Sequence, residues 1–263
     1  MIVAGAGVVG GTALIALAGC GFDGAGTLDL PDAQAPAAVA TADASSGATD
    51  APMVLDAAQV DEGAPSPGPC DDPTLVLCIP FDGAALDAAH GQAIEVGGKV
   101  TYVMGVEGQA AALDATSAIT LPHGPAWQYT SITIEMWARP DALPAAGARA
   151  GLLDKEASFG IFAYADGTVG CIMGQTALGK TFTTLGTWVH LACINDGAST
   201  TLYVDGAVKT TTPGLIKVAP STALAAIGNN SPSLGDPWIG ALDMLRVYAR
   251  AKTAAEIALD AKR

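Results

Sequence analysis

Residues 70–263 are predicted to form an all-β fold, an antiparallel sandwich of two sheets with one short helix at its C-terminal end. Apolar and polar residues alternate there in about a dozen short runs, the period of half-buried strands. Asp-Gly pairs at 166–167, 196–197 and 205–206 stand between such runs, where hairpin turns need positive φ. Only the last segment has helical spacing.

The N-terminal elements are not part of that domain. Met1 to Gly19 is apolar and uncharged and ends Leu17-Ala18-Gly19-Cys20. This resembles the lipobox of bacterial lipoprotein signal peptides, although no Lys or Arg precedes the apolar run. The resemblance implies that residues 1–19 are a signal peptide and that Cys20 becomes the acylated first residue, a membrane anchor. Gly, not Asp, follows it, which implies an exported protein at the bacterial cell envelope, in the outer membrane. Gly5-Ala6-Gly7-Val8-Val9-Gly10 fits a dinucleotide-binding glycine pattern, but no strand or helix period follows to make a βαβ unit.

Residues 20–69 read as a disordered linker. They are rich in Ala, Asp, Pro, Gly, Ser and Thr, and they hold no Lys or Arg and no aromatic residue but Phe22. Such a stretch cannot bury enough apolar surface to offset its chain entropy. Its acidic residues and prolines keep it extended, as a spacer or a generic leader. The whole chain of 263 residues carries a net charge of −14, which argues against nucleic acid as a partner, since phosphate binding needs clustered cations.

From Cys70 onward the strand runs include Ile132 to Trp137, Trp188 to Ile194 and Thr201 to Val204. In the first, Ile132, Ile134 and Met136 share one face and Glu135, Trp137 and Arg139 the other. Near the end, Ile239, Ala241, Leu245 and Val247 are expected on one face, with Asp243 in their row. A buried carboxylate there needs a partner. Thr253, with Glu256 three residues on, forms a capping box for a helix running to Lys262.

Five cysteines are present, and Cys20 is the odd one. In an exported chain the other four read as two disulfides, with three possible pairings. Val169, Cys171 and Met173 alternate on one strand and Val189, Leu191 and Cys193 on another. A cross-strand Cys171–Cys193 bond is therefore preferred, with Cys70–Cys78 closing a short loop at the domain entry.

Four stretches together resemble the laminin-G-like, concanavalin A-like jelly-roll family. They are Leu77-Cys78-Ile79-Pro80-Phe81-Asp82-Gly83 with Gly108-Gln109-Ala110 and Ala118 to Pro122; Ser131 to Pro140; Thr187 to Ala192 with Leu202 to Gly206; and Gly240 to Ala251 with Glu256-Ile257. They keep the family's order. The resemblance implies a two-sheet antiparallel jelly-roll sandwich, concanavalin A-like, over 70–263. It also implies one Ca²⁺ at loop ends, for which Asp82, Asp87 and Asp243 match by position. Hard cations take oxygen ligands. The same carboxylates could instead bond backbone N–H groups and lock turns.

Laminarinase-like members of this fold place alternate carboxylates on one strand, and no such string exists here. Past Glu135 the same-face positions hold Trp137 and Arg139. His90, His123 and His190 have no metal-ligand spacing, and no nucleophile-elbow, zincin or P-loop pattern occurs. The expectation is a non-catalytic recognition module, anchored at the surface or in the periplasm, that binds glycan or matrix material with calcium assistance. A module that binds an extracellular protein, for adhesion or structure, and a divergent polysaccharide-active glycosidase or lyase are the alternatives. Trp127, Tyr129, Asn229, Asn230, Asp236 and Trp238 are the candidate ligand contacts, unless the tryptophans cover the core edge.

Overall fold

The computed structural model describes residues 68–214, 218 and 221–263, all within the compact unit Val60–Arg263. The expected signal peptide at 1–19, with Cys20, and the expected linker at 20–69 up to residue 67 lie outside the described residues.

In chain order the elements are β1 (Leu75–Ile79), β2 (Glu95–Gly97), β3 (Val100–Met104), β4 (Gln109–Leu113), β5 (Ala118–Leu121), β6 (Ile132–Pro140), β7 (Arg149–Lys155) and β8 (Phe159–Tyr164). They continue with β9 (Thr168–Met173), β10 (Gln175–Lys180), β11 (Val189–Asn195), β12 (Ser199–Val204), β13 (Ala207–Pro213), β14 (Ala225–Ile227), β15 (Gly240–Tyr248) and α1 (Ala254–Asp260). An eight-stranded sheet runs β13-β12-β11-β6-β15-β4-β3, with β1 beside the far end of β15. A seven-stranded sheet runs β10-β9-β8-β7-β14-β5-β2. Every pairing is antiparallel. The expected two-sheet sandwich is therefore present, and the three Asp-Gly pairs sit in the β8–β9, β11–β12 and β12–β13 turns.

The core lies between the sheets. Ile132, Ile134, Met136 and Ala138 of β6 face Ile161, Ala163, Val169, Cys171 and Met173 of β8 and β9, all buried in one cluster. Alternate residues on each strand point away from that layer. On one side the two sheets also meet at their edges. Thr210 Oγ1 donates to the Leu178 carbonyl at 2.8 Å and Thr212 Oγ1 to the Thr176 carbonyl at 3.0 Å, so β13 hydroxyls cover the open edge of β10.

Cys70–Cys78 and Cys171–Cys193 are the two disulfides. The second is not a bond between neighbouring strands of one sheet, as expected from the sequence. Cys171 belongs to the seven-stranded sheet and Cys193 to the eight-stranded one. Both side chains alternate into the core, where the two sheets face each other, and the bond ties the layers together.

The row expected along β15 is also corrected. A bulge between Asp243 and Arg246, with Met244 at φ 48°, shifts the alternation by one residue. Leu242, Leu245 and Val247 enter the core, while Ile239 is exposed. The capping box holds: Thr253 Oγ1 accepts from Glu256 N–H, and the Glu256 carboxylate accepts from Thr253 N–H. Ile257 then seats α1 on Ala192, Ile194 and Tyr203, on the outer face of the eight-stranded sheet. Among the described residues no helix is long and apolar enough to cross a membrane.

Candidate functional site

Three glycines, Gly151, Gly160 and Gly170, shape the outer face of the seven-stranded sheet. Phe162 stands in the ladder with Gly151 on one side and Gly170 on the other, and Gly160 lies opposite Asp154 and Ile172. A Cβ at Gly160 would come within 2.4 Å of the Phe162 ring, so glycine is what lets that ring lie along the sheet. Arg149, opposite Tyr164, places its guanidinium carbon 3.9 Å from the Phe162 ring centroid. Its Nε donates to Asp236 at 2.8 Å. The result is a guanidinium held in place at one nitrogen and over one ring, on a side chain that is 41% exposed.

Hollows flank that group on both sides. One, of about 230 Å³, is lined by Arg149, Asp154, Glu156, Ser158, Phe162 and Ile172 among others. The other, of about 300 Å³, is lined by Arg149, Tyr164 and Asp166 with Gly147, Ala148 and Ala165. Asp154 is buried and accepts the Ser231 N–H at 2.8 Å. Burial holds its carboxyl above the ordinary range, and Glu156 and Asp236 add to that. Planar faces with donors and acceptors at their rim suit the C–H faces and hydroxyls of sugars.

Of the six expected ligand contacts, none lines either hollow, and two lie on the loop that holds Arg149. Asp236 is bound to Arg149, and Asn230 holds the same loop through Gly235 and Asp236 N–H. Tyr129 bonds Ser158, a residue of the first hollow. Asn229 is buried and spends its amide on Ser117, Asn230 and Asp236 backbone groups. Trp127 and Trp238 are not platforms. They fill the core, Trp127 donating to Gln92 and stacking near Phe159, Trp238 against Phe182. The half-buried tryptophans are Trp137 and Trp188, on the outer face of the other sheet, the latter beneath Arg139.

The three expected calcium ligands separate. Asp82 and Asp243 converge on one turn, Gly105–Gly108, between β3 and β4. Asp243 Oδ2 accepts Val106 N–H at 2.7 Å and Glu107 N–H at 3.2 Å, and Asp82 Oδ1 accepts Gln109 N–H at 2.7 Å. Any side chain at Gly105 or Gly108 would collide with these carboxylates. Asp243 is fully buried, yet its Oδ1 has no partner. Burial pushes its carboxyl up to about 6, against its backbone donors and with the help of Asp82. An orphaned buried oxygen beside a second carboxylate suits a hard cation, which takes oxygen ligands. Asp87 stands apart, its carboxylate taken by the N–H groups of Cys78, Ala89, His90 and Gln92. Among the described residues no group of three or more His, Cys, Asp or Glu side chains forms a metal cage.

A larger hollow, about 400 Å³, lies where the entry segment meets α1. Its cations are matched: Arg250 by Asp72 and Glu256, Lys252 by Asp260 and Glu135, Arg246 by Glu135. It is a clamp between the two ends of the domain. Glu135 is fully buried in that clamp, away from both hollows of the groove.

The comparisons agree with this architecture. The family model described as the concanavalin A-like lectin/glucanases superfamily, of laminin G type, matches residues 113–258. No curated protein matches the chain. Among solved structures, domain 4 of AbnA, an extracellular arabinanase of family GH43 from Geobacillus stearothermophilus solved with arabinotriose, is 23% identical with a TM-score of 0.58, over 72% of this chain and 98% of that one. The binding domain of Paraclostridial Mosquitocidal Protein 1 is 19% identical with a TM-score of 0.58, over 72% and 52%. The receptor binding domain of botulinum neurotoxin C/D mosaic serotype is 11% identical with a TM-score of 0.60, over 72% and 51%. The chain thus spans about half the length of the two toxin domains. These likenesses establish the fold, and the family match over more than half the chain identifies it: the chain belongs to the concanavalin A-like lectin/glucanase superfamily.

Proposed function

We propose that this domain is a non-catalytic glycan-recognition module that is exported and held at the bacterial cell envelope by acylation of Cys20. The observation that carries the glycan reading is the Arg149 guanidinium, laid on Phe162 and fixed by Asp236, between two hollows on an open sheet face. The family's lectin character and the arabinotriose complex of the AbnA domain support it. Two disulfides fit a domain that matures in an oxidising compartment. The non-catalytic reading rests on the state of the carboxyl groups. Glu135 is sealed in an ion cluster, and Asp236 is engaged by Arg149. Calcium, in this reading, sits at Asp82 and Asp243. There it would neutralise the buried carboxylate and hold the Gly105–Gly108 turn, with no part in chemistry.

Titration calorimetry with a panel of oligosaccharides tests the function. One or more should bind, and Arg149→Ala should weaken that binding at least about tenfold, a hot-spot loss, with the fold intact by circular dichroism. No binding to any saccharide, with capture of an envelope protein through Trp137 and Trp188, would favour the protein-binding reading. Release of shortened saccharides, abolished by Asp154→Asn, would make the protein an enzyme. Palmitate labelling of the full chain, lost in Cys20→Ser, tests the anchor.

A further inference from the structure

We infer that the groove takes saccharide chains free of carboxylate and sulfate, and that its own acidic rim makes the selection. This rests on the glycan-binding reading of the same groove. Around Arg149 stand four carboxyl groups, Asp154 and Glu156 in one hollow, Asp166 in the other and Asp236 at the guanidinium itself. Two cations answer them, Arg149 and Lys180, whose ammonium donates to the Asp166 carbonyl. Lys155 also lines the first hollow, but its ammonium is turned inward, away from the rim. It is fully buried, and its ammonium donates to the Ala223 carbonyl over the Trp127 ring.

The condition of Arg149 decides how the groove meets an anion. An unpaired arginine would take a carboxylate in a two-pronged bond. Here Nε is already bonded to a carboxylate and the plane is stacked on an aromatic ring. What remains is a flat surface and N–H donors for hydroxyls, with the charge largely compensated. A uronate would bring a further negative charge beside Asp154, which is buried and poorly screened by salt. The raised carboxyl of Asp154 reports the same strain, burial first and then Glu156 and Asp236. The net charge of −14 adds long-range repulsion of acidic polymers.

The test is calorimetry with neutral gluco-, galacto- and xylo-oligosaccharides. Each chain that binds is repeated with carboxylates installed, by C6 oxidation for the hexose chains and as the glucuronate-substituted form for xylan. The acidic twin should bind at least about tenfold more weakly at low salt. The gap should narrow in about 0.5 M NaCl, where exposed charges are screened. It should also narrow at low salt in Glu156→Gln and in Glu156→Gln/Asp236→Asn, the latter freeing Arg149. Equal or tighter binding of the acidic form, lost in Arg149→Ala, overturns the selection and leaves the glycan reading standing. A gap indifferent to both salt and Glu156→Gln overturns the charge explanation. Failure of every saccharide, neutral and acidic, brings down the glycan reading and this inference with it.

Discussion

Glu135 of β6 and Arg246 of β15 stand opposite one another in the ladder, and their ion pair, 3.2 Å from Nη2 to Oε2, is shut off from water. Lys252 and Asp260 complete the group, so two cations and two carboxylates balance beneath α1. Desolvation makes such a cluster a modest net gain when whole, and costly when one member goes. Glu135→Ala leaves Arg246 and Lys252 buried with one carboxylate between them. We expect a loss of about 3–5 kcal/mol in urea unfolding, a value typical of a broken buried pair. An unchanged midpoint would show that water enters the cluster.

His190, opposite Trp137 in the same outer face, has no hydrogen bond to either ring nitrogen. Burial lowers its pKa to about 4, and Arg246 and Lys252 push the same way while Asp260 opposes them. The unfolded chain takes up a proton near pH 6.5, the folded one only near 4. Stability should therefore fall as pH drops from about 6.5 to 4, by up to about 3 kcal/mol from this group. Asp243 works in the opposite sense over part of that range, since its folded carboxyl titrates near 6. The difference between wild type and His190→Phe isolates the histidine: the variant should lose less stability on acidification. Parallel pH profiles would refute the assignment.

Much of this fold was written in local pattern, and the failures share a cause. The alternation of Ile132, Ile134 and Met136 places those residues inside, as expected, and Thr253 with Glu256 marks the helix start to the residue. The face of β15 was lost because Met244 takes a left-handed conformation that nothing in its chemistry announces. Cys171 and Cys193 both alternate toward the core, but alternation does not say whether the facing residue lies in the same sheet or the other one. Trp127 and Trp238 look like loop residues in sequence, yet the sandwich needs large apolar side chains to close its ends. The Arg149 groove left one trace, Phe162 and Tyr164 alternating beside Gly160 and Gly170. Only the ladder shows that those glycines clear space around the aromatic rings.

Lys155 is a fully buried lysine with no carboxylate partner in the ion pairs of the described residues. Burial lowers its pKa to about 8. The unfolded chain keeps this proton to about pH 10.5, so the folded form gains as pH rises from 8 toward 10.5, and the full burial cost stands at pH 7. Lys155→Met keeps the volume and discards the charge. It should stabilise the domain at pH 7 by about 2 kcal/mol, allowing for the lost bond to Ala223, and the advantage should shrink above pH 8. A variant less stable than wild type at pH 7 would mean that the Ala223 bond and the Trp127 ring outweigh desolvation.

Asp243 ties the fold to its proposed metal. Its Oδ1 is buried and unpaired, and its carboxyl titrates near 6, so proton and cation compete for one oxygen. Without metal, the raised carboxyl costs stability as pH climbs through 4 to 6, because the folded form must then hold a poorly solvated charge. Calcium reverses that cost. Adding about 1 mM CaCl₂ should raise the melting temperature by several degrees at pH 7, through binding to the folded state alone. The increase should be smaller at pH 5, where the carboxyl holds its proton. Asp243→Asn keeps an acceptor for the Val106 and Glu107 N–H groups but removes the charge. It should abolish the calcium increment at both pH values while costing little in EDTA, and Asp82→Asn should reduce the increment. Asp87→Asn tests the separation of the three aspartates: its loss of backbone bonds should lower stability equally with and without calcium. A calcium response that survives Asp243→Asn but vanishes in Asp87→Asn would move the cation to the Asp87 turn, beside Cys78 and His90.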